Sequence, residues 1–192
     1  MQNDENCRKH FGGVYPSDQI EHIKIKTHLL PQGFIFNYDP SNKPGSHWVA
    51  AIINPPGTKH LFFDSFGRPP ALTCLKNFLH GKYLFNPVQY QNELTTSCGE
   101  WCIFFLCYHL THQTFDWSEI FDPYFTIKND EIVTYWVNKM FSSHFETLDK
   151  SFLKKQMCKS MKSNSNNSDY PDRKELLLRI AQKTLNSFPG NF

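Results

Sequence analysis

A chain of 192 residues is long enough for one domain with a sizeable core, and its 18 Phe and 8 Tyr point to aromatic packing rather than disorder. A formal charge of +2 excludes a strong electrostatic magnet, although the charge is uneven: residues 1–144 hold 11 Lys+Arg against 13 Asp+Glu, and residues 145–192 hold 9 against 5. The polar start, Met1-Gln-Asn-Asp-Glu-Asn, shows no secretory h-region, and the longest apolar run, Trp101–Tyr108, is well short of the ~20 residues that span a bilayer, so an intracellular protein with no membrane partner is expected.

Residues 1–12 read as a loose arm. Between Val14 and Leu30, Ser17 and Asp18 are positioned to cap a short helix carrying Ile20, Ile23 and Leu30. Phe34–Tyr38 is strand-like, and Asp39-Pro-Ser-Asn-Lys-Pro-Gly45 is a loop of turn formers. His47–Ile53 is a buried strand, Asn54-Pro-Pro-Gly57 a turn, and His60–Phe66 the next strand, which predicts an antiparallel pair. Gly67-Arg-Pro-Pro70 leads into a helix over 71–79, and Tyr83–Tyr90 is a third strand that Pro87 assigns to an edge or a bulge.

The stretch from Gln91 to Leu110 organises the rest. Trp101, Cys102, Phe104, Phe105, Cys107 and Tyr108 leave almost no polar face, so this helix runs through the core. Thr95, Thr96 and Ser97 mark its start with hydroxyls suited to orphan N–H groups. Cys98 therefore falls in the first turn, where the macrodipole and free N–H groups favour a thiolate. Six cysteines (Cys7, Cys74, Cys98, Cys102, Cys107, Cys158) without a signal peptide indicate reduced thiols. Beyond it lie an irregular aromatic stretch over 115–124 and a helix over 129–141, in which Ile132, Val133, Trp136, Val137 and Met140 recur at helical spacing. The Ser/Asn-rich residues 160–170 are a polar linker between a domain over 1–159 and an amphipathic C-terminal helix within 171–192, with Leu177, Ile180, Ala181 and Phe188 on one side.

A thiolate nucleophile needs a proton acceptor, and a histidine base needs a third group to fix its tautomer. His47 opens the first strand of the predicted hairpin. Asp64 lies on the second, in a run otherwise made of Leu61, Phe62, Phe63 and Phe66, where a carboxylate is costly unless partnered. The hairpin brings residues 47 and 64 close together, which makes Asp64 the natural orienter of His47. Gln91 is placed to offer its amide beside the Cys98 backbone N–H as an oxyanion donor, with Gln89 and Asn92 as rivals. Each residue has a plainer reading: a buried thiol for Cys98, a strand-end surface residue for His47, and a turn cap into Phe66-Gly67 for Asp64. A zinc site from Cys98, Cys102 and His109 is disfavoured, since one helix does not readily supply tetrahedral coordination. Co-occurrence in one chain favours the catalytic set.

Gly45-Ser-His-Trp-Val, then Phe63-Asp-Ser-Phe-Gly, then Gln91 followed by Ser97-Cys-Gly99, in that order, resemble the adenovirus maturation protease (adenain) family and, more distantly, the SUMO-specific proteases. The resemblance runs from about Gly12 to Leu110. It implies an α+β, papain-like cysteine protease fold in permuted His-Asp-Gln-Cys order, with a small mixed or antiparallel sheet packed on a central buried helix. It assigns His47 as general base, Asp64 as its orienter, Cys98 as nucleophile and Gln91 as oxyanion donor, and it gives Trp48, beside Gly99, a part in shaping a narrow cleft. The implied activity is a cysteine endopeptidase without metal or organic cofactor. Its protein substrates would be viral or mobile-element structural precursors cut after small residues, in a host nucleus and virion or otherwise in cytoplasm or nucleus. DNA and an activating peptide are partners of the similar viral enzyme. That peptide is disulfide-linked to a cysteine between the acidic residue and the glutamine; here His80 stands at that spacing, and Cys74 is the only cysteine in the interval. The adenovirus enzyme carries Glu as its third catalytic residue, whereas Asp64 matches the SUMO-specific enzymes. A deconjugating protease for a ubiquitin-like modifier, or a silent DNA- or protein-binding module on a protease fold, are the alternatives.

Overall fold

The computed structural model describes residues 5–112 and 121–141. Contacts divide the chain into two compact units, Met1–Phe115 with Asp122–Phe141, and Asp116–Phe121 with Ser142–Phe192. Every helix and strand named below belongs to the first. The expected linker over 160–170 and helix within 171–192 lie outside the described residues.

Among the described residues, five strands form one mixed sheet: β1 (Phe11–Tyr15), β2 (Gln32–Asn37), β3 (Trp48–Ile53), β4 (His60–Phe63) and β5 (Tyr83–Phe85), in that order across the sheet. The central β2–β3–β4 pairs are antiparallel, while β1 joins β2 and β5 joins β4 in parallel. The helices are α1 (Glu5–His10), α2 (Thr73–Phe78), α3 (Cys98–His112) and α4 (Thr126–Phe141).

Both faces of the sheet are buried, which is why β2 and β3 read as continuous apolar runs rather than alternating ones. Successive side chains still point to opposite faces. Phe34, Phe36, Val49, Ala51, Ile53 and Phe62 share one core with Ile20 and with Leu75 and Leu79 of the α2 region. On the other face Phe63 stacks on Phe105 of α3 at 4.9 Å between ring centroids and tilts against Trp101 at 6.2 Å. Gly33 lets α3 approach β2 closely, since a Cβ there would stand 2.8 Å from a Leu106 methyl. Phe63 thus joins sheet to central helix one residue before Asp64. Phe63→Ala is expected to cost about 3–5 kcal/mol of stability, measured by urea unfolding, because it empties a site that has no exposure to collapse into.

Two N-terminal expectations are corrected. Residues 5–12 of the expected arm are instead α1 and the start of β1, anchored where His10 Nδ1 lies 3.0 Å from the Leu29 carbonyl oxygen and 2.9 Å from that of Pro31. The capped α-helix within 14–30 is replaced by the end of β1 and two short 3-10 turns, Ser17–His22 and Thr27–Leu29. Neither turn has a side-chain cap hydrogen bond, and the chain between them, from Ile23 to Lys26, is not helical. Asp18 serves a different end, accepting the Ser41 N–H at 2.9 Å and the Ser41 hydroxyl at 2.7 Å, and so tethers the loop that leads to His47. The other strands match within a few residues. β4 stops at Phe63, so Asp64 stands just past the strand end; β5 is the sheet edge that Pro87 foretells.

Candidate active site

The antiparallel β3–β4 register pairs Ala50 with Phe63, so the residues just before β3 and just after β4 leave the sheet side by side. There His47 Nε2 lies 2.9 Å from Asp64 Oδ1. Asp64 is fully buried, and its Oδ1 also accepts the Phe66 N–H at 2.8 Å. That is the turn geometry expected of an Asp before Ser-Phe-Gly, and the same carboxylate also holds the imidazole. Gly67 completes the turn at φ +70, its N–H bonded to the Asp64 carbonyl at 2.8 Å. A Cβ there would press on the Val88 backbone at 2.7 Å, so only glycine fits without displacement.

Aromatic neighbours fix the His47 ring. Tyr38 meets it edge-on at 5.3 Å, and Phe66 lies against it at 5.1 Å with the Arg68 guanidinium over its own ring at 5.2 Å. An open pocket of about 250 Å³ flanks His47, lined also by Tyr38, Ser46, Asp64 and Arg68. Burial, followed by the Asp64 charge, pushes the Tyr38 phenol up to about 12, so it is neutral at physiological pH.

Cys98 opens α3, 8 % exposed, after Ser97, whose carbonyl accepts the Trp101 N–H at 3.0 Å and so begins the helix. Burial of the His47 ring opposes the imidazolium, but the Asp64 hydrogen bond and the influence of the neighbouring Asp64 and Cys98 side chains more than offset it and raise the pKa to about 9. Asp64 takes Nε2, which leaves Nδ1 as the ring nitrogen not engaged by the carboxylate. A carboxylate bonded to an imidazole, with a thiol at a helix head near enough to raise that imidazole's proton affinity, is a set able to hold a thiolate–imidazolium pair. Cys102, one turn on, is fully buried, and that burial pushes its thiol well up. Among the described residues, Cys74, Cys98 and Cys102 are free thiols. Among the described residues no three His, Cys, Asp or Glu side chains are placed to hold a metal ion.

The other predicted residues are close by, in different states. Trp48 opens β3, and a Cβ added at Gly99 would stand 4.0 Å from its Cδ1, so the ring overhangs the start of α3. Gln91 is 1 % exposed and fully engaged: Oε1 accepts the Ser65 hydroxyl at 2.6 Å, and Nε2 faces the Thr95 carbonyl at 3.0 Å and its hydroxyl at 3.3 Å. Gln89 Nε2 donates to the Gln91 carbonyl at 3.0 Å, and Asn92 Nδ2 to the Thr126 hydroxyl at 2.9 Å.

Two buried residues escaped sequence reasoning. Asn86 clamps the Asp64 backbone, accepting its N–H at 3.0 Å and donating to its carbonyl at 2.8 Å. Asp130 of α4 binds the residues ahead of Cys98. Its sequence signal was available: Asn129 and Asp130 precede the buried Val133 by four and three positions, on the helix face that turns inward.

No protein-family model matches the sequence, and no curated protein matches it. A crystal structure of an ASFV protease, in its selenomethionine form, is similar in structure at a TM-score of 0.46 and 15 % sequence identity over 68 % of this chain. The chain spans 60 % of the length of that protein.

Proposed function

We propose that the protein is a cysteine endopeptidase of adenain-like type, in which Cys98, His47 and Asp64 form the catalytic triad. The observation that carries this reading is His47, bonded to the buried Asp64 at 2.9 Å and raised to about 9 by Asp64 and Cys98 together against the opposing effect of burial. A ring held so carries a proton at neutral pH, beside a sulfur at a helix N-terminus that favours an anion.

The Cys98 thiolate attacks the substrate carbonyl, and the Cys98 backbone N–H, unpaired within the helix as first-turn donors are, holds the oxyanion. Gln91 is the second donor, once Nε2 yields one of its two Thr95 contacts. The C–N bond breaks as His47 gives its proton to the leaving amine. Water then attacks the thioester while His47 takes its proton, releasing the carboxylic acid and restoring the thiolate. Trp48 over Gly99 narrows the cleft next to the nucleophile, which fits small residues before the cleaved bond. The substrates on this reading are precursor polypeptides of a virus or mobile element, processed inside the cell.

A peptide vinyl sulfone ending in glycine tests the reading. Covalent labelling of the folded protein is expected at Cys98 alone, mapped by peptide mass spectrometry, with Cys102 and Cys107 unmodified because both are buried and burial pushes the Cys102 thiol well up. A folded protein that takes no label at Cys98 is instead a binding module on this fold.

A further inference from the structure

We propose that Asp130 is a positioning residue for the nucleophile, holding the segment before Cys98 so that the Cys98 backbone N–H points at the oxyanion; this rests on the endopeptidase reading. Asp130 is 5 % exposed, and its two oxygens meet four donors. Oδ1 accepts the Ser97 hydroxyl at 2.9 Å and the Trp101 indole N–H at 2.6 Å. Oδ2 accepts the Thr95 hydroxyl at 2.7 Å and the Asn92 N–H at 2.9 Å. A buried carboxylate is costly unless its lone pairs are filled, and here all four directions are used. None of the four donors is a cation. The charge is held by converging dipoles at the positive end of α3.

The four donors come from the loop that ends at Cys98 and from the first turn of the helix that Cys98 opens. Residues 92, 95 and 97 precede the sulfur, and 101 follows it by one turn less one residue. A single carboxylate therefore fixes the backbone on both sides of the nucleophile. The opposite flank of the loop is tied to the acid of the triad. Gln91 passes from the Thr95 carbonyl to the Ser65 hydroxyl, and the Ser65 carbonyl accepts the N–H groups of Tyr90 at 2.9 Å and Gln91 at 3.1 Å. Ser65 is the neighbour of Asp64. The chain of bonds from Asp130 through Thr95, Gln91 and Ser65 thus sets the nucleophile relative to the residue that orients its base. A tie needed only to pack α4 on α3 could be apolar; this one is spent on the loop.

Asp130→Asn keeps the shape but turns one oxygen into a donor that faces donors. Turnover of a glycine-ending peptide should show kcat lowered on the order of 10²-fold with KM within about threefold. Affinity for the matching peptide aldehyde, whose adduct places an oxyanion, should fall by a similar factor. Alkylation of Cys98 by iodoacetamide, which forms no oxyanion, should stay within about threefold of wild type. A purely structural role would lower turnover and alkylation in equal proportion, as the folded fraction falls, and that result, or an unchanged kcat, overturns the proposal. Should Asp130→Asn not fold, Ser97→Ala and Thr95→Val each remove one donor, and the same split at about tenfold is expected. If the wild-type protein cleaves no peptide and binds no aldehyde, the endopeptidase reading fails by itself. Amide hydrogen exchange then decides for Asp130: lost protection over 90–98 with β2 and β3 unchanged supports its positioning role, and unchanged protection refutes it.

Discussion

Cys98→Ala should abolish peptide cleavage, by at least about 10³-fold in kcat/KM, and leave the fold intact. The loss follows from chemistry: a methyl group forms no thioester, and the remaining oxyanion donors and binding contacts supply only a residue of the rate. The fold should hold because the site lies at the head of α3, alanine is the best helix former, and the side chain removed is small. A second consequence separates this variant from a mere loss of nucleophile. The Cys98 side chain contributes to the raised proton affinity of His47, so His47 in Cys98→Ala should titrate below about 9, read from its ring proton shifts by NMR. Full activity in Cys98→Ala, or a histidine indifferent to it, would end the thiolate–imidazolium account.

Asp64→Asn is expected to lower kcat/KM on the order of 10²-fold and to reshape its pH profile. In the wild-type protein His47 keeps its proton until the pH passes about 9, so the alkaline limb of kcat/KM should fall there as the acid that protonates the leaving amine is lost. Replacing the carboxylate removes a hydrogen bond and a charge that favour the imidazolium, while the opposing burial remains, so the limb should move to lower pH. Stability should follow the same sign. The native pKa lies above the 6.5 of a free histidine, so its contribution is fully present below that value and is lost as pH rises through about 9. Denaturant midpoints of wild type should therefore drop over that window, and those of Asp64→Asn should drop less. A coincident alkaline limb in both proteins would leave Asp64 as a turn cap, bonded to the Phe66 N–H and without influence on the base.

Much of this site was legible because its residues break local rules. Asp64 is a carboxylate among phenylalanines, and Cys98 sits between a cap residue and a glycine where a buried helix begins. The antiparallel hairpin follows from two apolar runs about a Pro-Pro-Gly turn, and its register brings His47 to Asp64 without further information. Residues with ordinary local roles were not legible. Thr95 and Ser97 look like helix caps; in space their hydroxyls go to Asp130, 35 and 33 residues away in sequence. Gln91 looks like a free donor, and the fold has closed both ends of its amide. β1 carries two glycines and pairs in parallel through an irregular register, so it shows no alternation to read.

Hydropathy and turn chemistry determined the central three strands and the buried helix from Cys98, and the co-occurrence of histidine, aspartate and cysteine in one chain marked them as candidates. These depend on how each residue relates to its near neighbours and to water. Tertiary structure alone decided which donors meet Asp130, that Asn86 clamps the Asp64 backbone, and that one carboxylate gathers the loop before the nucleophile. A buried polar group is stable only when distant donors and acceptors converge on it, and a sequence records no such convergence until the chain has folded.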